Sequence, residues 1–195
     1  MICAPTAIRG QVIDIDDVLA AAEERLNSAY AEYEEARRDV PIEFNEMRLQ
    51  ASIFQYDICA EMASFMRNAP TGFARNVALK GLVHRLFEYN LTLSQLIPGL
   101  LNLTKARKLS IDQQDIKAQR KKWSVEFRKL RTWSGTRNVA TGHYSPDLAK
   151  QVEALKSIDS AEVVAVCTAF LSFNMAILRI LLEAGRGGDT AVAMN

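Results

Sequence analysis

Little in this chain can end a helix or start a strand. Its 195 residues include 9 glycines and 5 prolines, and four of the prolines stand where a helix would begin or kink. No Asn-Gly or Asp-Gly hairpin signal occurs, nor any run of alternating β-branched residues. Apolar residues recur instead at steps of three and four, the spacing that lines one face of an α-helix. A backbone with these instructions has one way to satisfy its polar groups: an all-α helical bundle.

The pattern predicts about five to six helices with a long apolar C-terminal one. The first runs from near Asp16 to about Arg38. Pro41 suits the first turn of the second, because its missing N–H is not needed there. Met47, Ala51, Phe54, Ile58, Met62 and Phe65 form that helix's stripe. Asn68 to Gly72 reads as a turn. A third helix then turns Val77, Leu79, Leu82, Val83, Leu86 and Phe87 inward, and Pro98-Gly99 should kink or end it. Ser110 caps a polar fourth helix with a narrow stripe of Ile116, Trp123, Phe127 and Leu130, broken at Ser134-Gly135. Pro146 opens a short helix to about Ile158, and Asp159 or Ser160 caps the last one. The organisation expected is an extension over 1–12, a single helical domain over 13–184 and a flexible tail from Gly185 to Asn195.

Charge is distributed unevenly. Net charge is only +1, with 24 Lys+Arg against 23 Asp+Glu, which argues against a nucleic-acid binder when taken as an average. Yet residues 14–46 carry 11 acids and three bases, whereas 105–137 carry 11 bases and three acids, −8 against +8. Either the two arms neutralise each other, within one chain or across a dimer, or the basic arm faces a polyanion, with Trp123 and Trp133 set among its charges. In the second case Lys121, Lys122, Arg128 and Arg131 are the candidate RNA contacts.

Several function classes drop out. Two histidines, neither preceded by Glu three residues earlier, exclude an H-E-x-x-H zinc site and a di-iron carboxylate bundle. There is no P-loop, dinucleotide fingerprint or G-x-S-x-G elbow. Cys3, Cys59 and Cys167 are odd in number, widely spaced and without a C-x-x-C pair, so they are expected as buried hydrophobes in a reducing cytoplasm. No metal and no cofactor is expected. Met1 to Ile8 is too short for a signal sequence, with Arg9 after it rather than before. Val163 to Leu182 is apolar, but its uncharged run between Glu162 and Arg179 is 16 residues and holds Ser172 and Asn174. A central bundle helix fits that run better than a membrane span of about 20 apolar residues.

The remaining chemistry lies in Thr136-Arg137-Asn138-Val139-Ala140-Thr141-Gly142-His143-Tyr144-Ser145. A guanidinium that grips phosphate in bidentate fashion precedes an imidazole that exchanges a proton near neutral pH by six residues. Ser134 or Thr136 can cap a new helical turn here, adding backbone N–H groups near Arg137. Together these groups suffice for metal-free cleavage of RNA, whose own 2′-OH is the nucleophile. On an ideal helix the two side chains would lie about 120° apart. Convergence therefore needs a local distortion at Gly142 or completion by a second subunit.

Arg137, Asn138 and His143 resemble the R-x(4–6)-H motif of HEPN domains (higher eukaryotes and prokaryotes nucleotide-binding). The helix order, with the motif between a polar helix and a long apolar one, is similar over about residues 42–183. The resemblance implies a homodimer and a metal-independent endoribonuclease of toxin–antitoxin or phage-defence type, with an antitoxin or other inhibitor as a further partner. Arg137 would hold the scissile phosphate, His143 would move the proton, and Asn138 would orient them. It equally admits a catalytically inactive helical module that binds a nucleotide or a partner protein. Some members carry a tyrosine two residues after the histidine, which a partner enzyme nucleotidylates; here Tyr144 follows directly and Ser145 takes that place.

Supporting candidates come from elsewhere. His84 and Glu88, four apart, share a helix face beside core-like neighbours. They read either as a structural hydrogen bond or as help for the motif, where the resemblance would have Glu88 orient Arg137. Tyr144 serves packing or catalysis. Arg75-Asn76-Val77-Ala78 repeats the motif's first four letters, but His84 lies nine residues after Arg75, so the repeat reads as coincidence with Arg75 and Asn76 as weaker candidates.

Overall fold

A computed structural model describes residues 14–36, 43–106, 113–138 and 146–192, the last stretch from 184 onward by its backbone alone. Every element among them is helical: α1 (Ile15–Ala36), α2 (Glu43–Asn68), α3 (Gly72–Ala106), α4 (Gln113–Lys122), α5 (Ser124–Thr132), α6 (Ser134–Thr136), α7 (Leu148–Lys156) and α8 (Ser160–Val192). These eight segments exceed the five to six expected because the polar fourth helix is cut twice. Both cuts fall on tryptophans: Trp133 is buried and Trp123 packs against the core. Their backbones sit at φ −95°, ψ 8° and φ −107°, ψ 20°, near the bridge region that interrupts a helix.

The core is a layer of α2, α3 and α8, with α5 closing one side. Ala51, Phe54 and Ile58 of α2 are buried, with Met47, Met62 and Phe65 packed at its edge, as the stripe predicts. Leu79, Leu82, Val83 and Leu86 of α3 meet Val163, Val166, Phe170, Phe173 and Ile177 of α8. Each large aliphatic or aromatic side chain so buried contributes about 1.5–3 kcal/mol. Val77, expected inward, is instead exposed, because it lies off the face that α3 turns to the core.

Pro98 does not end α3, which runs on to Ala106. The carbonyl that loses its donor belongs to Ser94, and both residues are exposed, while Leu93, Leu96 and Leu100 on the opposite side are buried. The unpaired carbonyl lies on the solvent side, where it costs least, and the buried leucines hold the helix together across it. α2 closes at Ala69, whose N–H donates to the Phe65 carbonyl at 3.0 Å with φ at +39°. Gly72, at φ +55°, opens α3. Just after Pro146, Asp147 caps α7, its carboxylate accepting from the Lys150 N–H at 3.1 Å. Asp159 caps α8 through the Glu162 N–H at 2.8 Å. The expected cap at Ser110 lies outside the described residues. α8 passes through Gly185–Gly188 to Val192, where a loose tail was expected.

By length and composition alone the Ser160–Glu183 part of α8 could cross a membrane, yet half of its apolar window is buried in the bundle. Its centre carries a polar lock. The Asn174 side chain is fully buried. Its amide donates to the Ala51 carbonyl and to Gln55 Oε1, both at 2.9 Å, and its oxygen accepts from the Tyr89 hydroxyl. Tyr89 stacks on Phe54 with ring centroids 3.4 Å apart. Burial pushes the Tyr89 hydroxyl far above its ordinary range, so it stays a donor.

The acids of α1 find partners next door. Glu32 pairs with Arg48 and Asp16 with Arg67, both on α2. In the basic segment Lys129 pairs with Glu162 of α8, and Arg137 with Glu88 of α3. Cys59 and Cys167 are buried free thiols, as expected; Cys3 lies outside the described residues.

Candidate functional site

Thr136 is the anchor of the site. It is buried, and its hydroxyl donates to the Ala154 carbonyl at 3.2 Å in the last turns of α7. Asn76 of α3 holds the same end, donating from Nδ2 to the carbonyls of Leu155 at 2.9 Å and Ile158 at 3.1 Å. Helix C-termini leave such carbonyls without intrahelical partners, so these bonds tie α3, α6 and α7 into one unit. Asn76 is thereby a structural cap. Arg75, which donates to the Pro70 carbonyl at 3.2 Å, belongs to the turn before α3.

α6 therefore delivers Arg137 from a fixed base. Its N–H donates to the Trp133 carbonyl at 2.9 Å, and Arg137 and Asn138 continue as a π-type turn, a local widening often found at functional sites. Neither Ser134 nor Thr136 caps this turn through its side chain; the Ser134 hydroxyl donates back to the Arg131 carbonyl at 3.0 Å. The Arg137 guanidinium sits 5.6 Å from the centre of the Phe87 ring and donates from Nη2 to Glu88 Oε1 at 3.2 Å. Glu88 and Phe87 are neighbours on α3, so one helix supplies both a carboxylate and an aromatic face. Arg137 stays 39% exposed, within reach of a ligand.

Beside this pair lies a cleft of about 710 Å³ between α3 and the α4–α5 arm. Phe87 and Asn90 line it from α3. Arg120, Ser124, Phe127, Arg128, Leu130, Arg131 and Ser134 line it from the arm. Phe127 is held edge-on by Phe170 and Phe173, with centroids at 4.4 and 5.4 Å. Arg128 Nε donates to the Ser124 carbonyl at 3.0 Å. No carboxylate lines the cleft, and among the described residues none pairs with its three arginines.

Of the residues expected at the site, the structure brings together Arg137 and Glu88, and places Arg128 and Arg131 in the adjoining cleft. Lys121 and Lys122 are exposed outside it; Lys122 Nζ lies 4.9 Å over the Trp123 ring. His84 does not bond Glu88, and its buried Nδ1 has no partner among the described residues. Asn138 is exposed, with no side-chain hydrogen bond to Arg137. His143 and Tyr144 lie outside the described residues.

The structure adds Arg120, Asn90 and Phe87 to the residues expected at the site. A signal existed: positions 120, 128 and 131 fall within about 80° of one another on a continuous helix, and 87 and 90 are one turn apart. Among the described residues no group of three or more His, Cys, Asp or Glu is placed to hold a metal ion. No protein-family model matches the chain, and neither a curated protein sequence nor a solved structure does.

Proposed function

We propose that this chain is a HEPN-type endoribonuclease that works without a metal. The observation that carries the reading is the Arg137–Glu88 contact at 3.2 Å, in which an earlier helix orients the motif arginine over Phe87, a residue that also lines the arginine cleft. An arginine oriented in this way suits a phosphate better than a freely rotating side chain. Arg137 holds the scissile phosphate and neutralises charge as it builds. The RNA 2′-OH attacks phosphorus and loses its proton, the bond to the 5′-oxygen breaks, and that oxygen gains a proton. His143 serves one of these transfers, giving a 2′,3′-cyclic phosphate and a 5′-OH. Arg128 and Arg131 guide the flanking strand.

The working form in this proposal is a cytoplasmic homodimer acting as a toxin or phage-defence effector, held in check by an antitoxin or other inhibitor protein. The deciding experiment incubates the purified protein with RNA in EDTA and compares it with His143→Ala and Arg137→Ala. Cyclic-phosphate ends from the wild type alone are expected. Cleavage that survives His143→Ala, or that requires added Mg²⁺, overturns the mechanism. RNA binding without any cleavage, lost in Arg137→Ala, identifies a non-enzymatic nucleotide-binding module instead.

A further inference from the structure

The two walls of the cleft differ in chemistry. The α4–α5 wall carries Arg120, Arg128 and Arg131, none neutralised by a described carboxylate. Guanidinium groups left unpaired in a row suit successive anionic oxygens. The α3 wall carries Phe87 and Asn90, three residues apart and so on one face of that helix. A ring to stack on and an amide that offers one donor and one acceptor side by side suit a planar base with the complementary pair on its edge. The volume of about 710 Å³ lies in the range of small-molecule sites.

Position adds the last element. Phe87 is both a wall of this cleft and the ring beneath Arg137, 5.6 Å from its guanidinium carbon. A base stacked on Phe87 therefore belongs to a nucleotide next to whatever phosphate Arg137 holds.

We propose that the cleft is a base-selective pocket for one unpaired RNA nucleotide flanking the Arg137-bound phosphate, with adenine preferred. Asn90 reads the base edge, Phe87 stacks on the base, and Arg120, Arg128 and Arg131 hold the adjoining phosphates. The inference rests on the RNA reading above but not on cleavage. Adenine is the base whose N6 donor and N7 acceptor an asparagine amide meets in bidentate fashion. The selectivity lies on the Hoogsteen edge, where guanine presents two acceptors, O6 and N7, and leaves the Asn90 amide oxygen unmatched.

The test uses fluorescently labelled, uncleavable 2′-O-methyl uridine hexamers carrying one central A, C or G, or none, with binding followed by anisotropy in EDTA. The adenine strand should bind about tenfold more tightly than the others. Asn90→Leu and the isosteric Asn90→Asp should each remove that preference while circular dichroism stays native. Arg128→Gln and Arg131→Gln should weaken all four strands alike and flatten the salt dependence. Arg137→Ala should keep the adenine preference while abolishing cleavage. Equal affinity for all four strands, a guanine preference, or an adenine preference that survives both Asn90 variants overturns the pocket and leaves the nuclease reading intact. Adenine-selective binding by a protein that never cleaves RNA overturns only the nuclease reading. No binding of any strand overturns both.

Discussion

Replacing Glu88 by alanine separates positioning from stability. The Glu88–Arg137 pair is a single Nη2–Oε1 contact of 3.2 Å between side chains 51% and 39% exposed. Water screens charges so placed, and exposed pairs of this kind contribute about 0.2–1 kcal/mol. For a domain of this size that corresponds to a fall in Tm of no more than about 4 °C. Under the proposed ribonuclease mechanism, catalysis should respond more strongly. Without the carboxylate the guanidinium loses the contact that draws it toward α3, and a smaller part of its population is directed at the phosphate. A tenfold loss in kcat, equivalent to about 1.4 kcal/mol in the barrier, is expected. RNA affinity should hold or rise slightly, since an anion beside the phosphate has gone. Glu88→Gln, which keeps an acceptor oxygen, should recover much of the rate. Urea unfolding and metal-free RNA cleavage, measured on the same preparations, supply both numbers. A stability loss above about 2 kcal/mol would show that the pair is a structural strut. Unchanged kcat in Glu88→Ala would remove Glu88 from the mechanism.

Other consequences follow from the core and turns. Asn174→Ala leaves the Ala51 carbonyl, the Gln55 amide and the Tyr89 hydroxyl without their buried partner; at about 1–3 kcal/mol each, with partial relaxation, a loss of about 3–5 kcal/mol is expected from urea titration. Ala69→Gly relieves the left-handed backbone at φ +39° and should raise stability by about 1 kcal/mol, whereas a loss would show that the turn does not strain alanine. Burial pushes the Cys167 thiol up to about 12 from its ordinary 9.0, helped by the neighbouring Cys59 and Glu61. The unfolded chain therefore releases this proton first, so stability present below pH 9 should decline as pH rises toward 12. A thiol reagent at pH 8 should accordingly label Cys167 only as fast as the protein unfolds.

Some of these features were legible along the chain because they depend on neighbours close in sequence. The stripe from Met47 to Phe65 and the Asp159 cap follow from helical spacing and local hydrogen bonding. Pro98 misled because local chemistry favours a break, while the cost depends on which side of the helix faces water. The tryptophan breaks at 123 and 133 were equally hidden: two ring systems gain burial only when the arm folds onto α8.

The site divides along the same line. Sequence alone determined that the chain is helical, that its charge is split between two arms, and that Arg137 is followed by an amide and, six residues on, by an imidazole. These are properties of composition and spacing, and no fold alters them. Only the tertiary structure decided that Glu88, 49 residues earlier, reaches Arg137, that Asn76 caps α7 rather than joining a site, and that Arg120, Arg128 and Arg131 face Phe87 and Asn90 across one cleft. Such pairings depend on which faces the buried core of α2, α3 and α8 leaves outward. Burial of apolar side chains distant in sequence sets those faces.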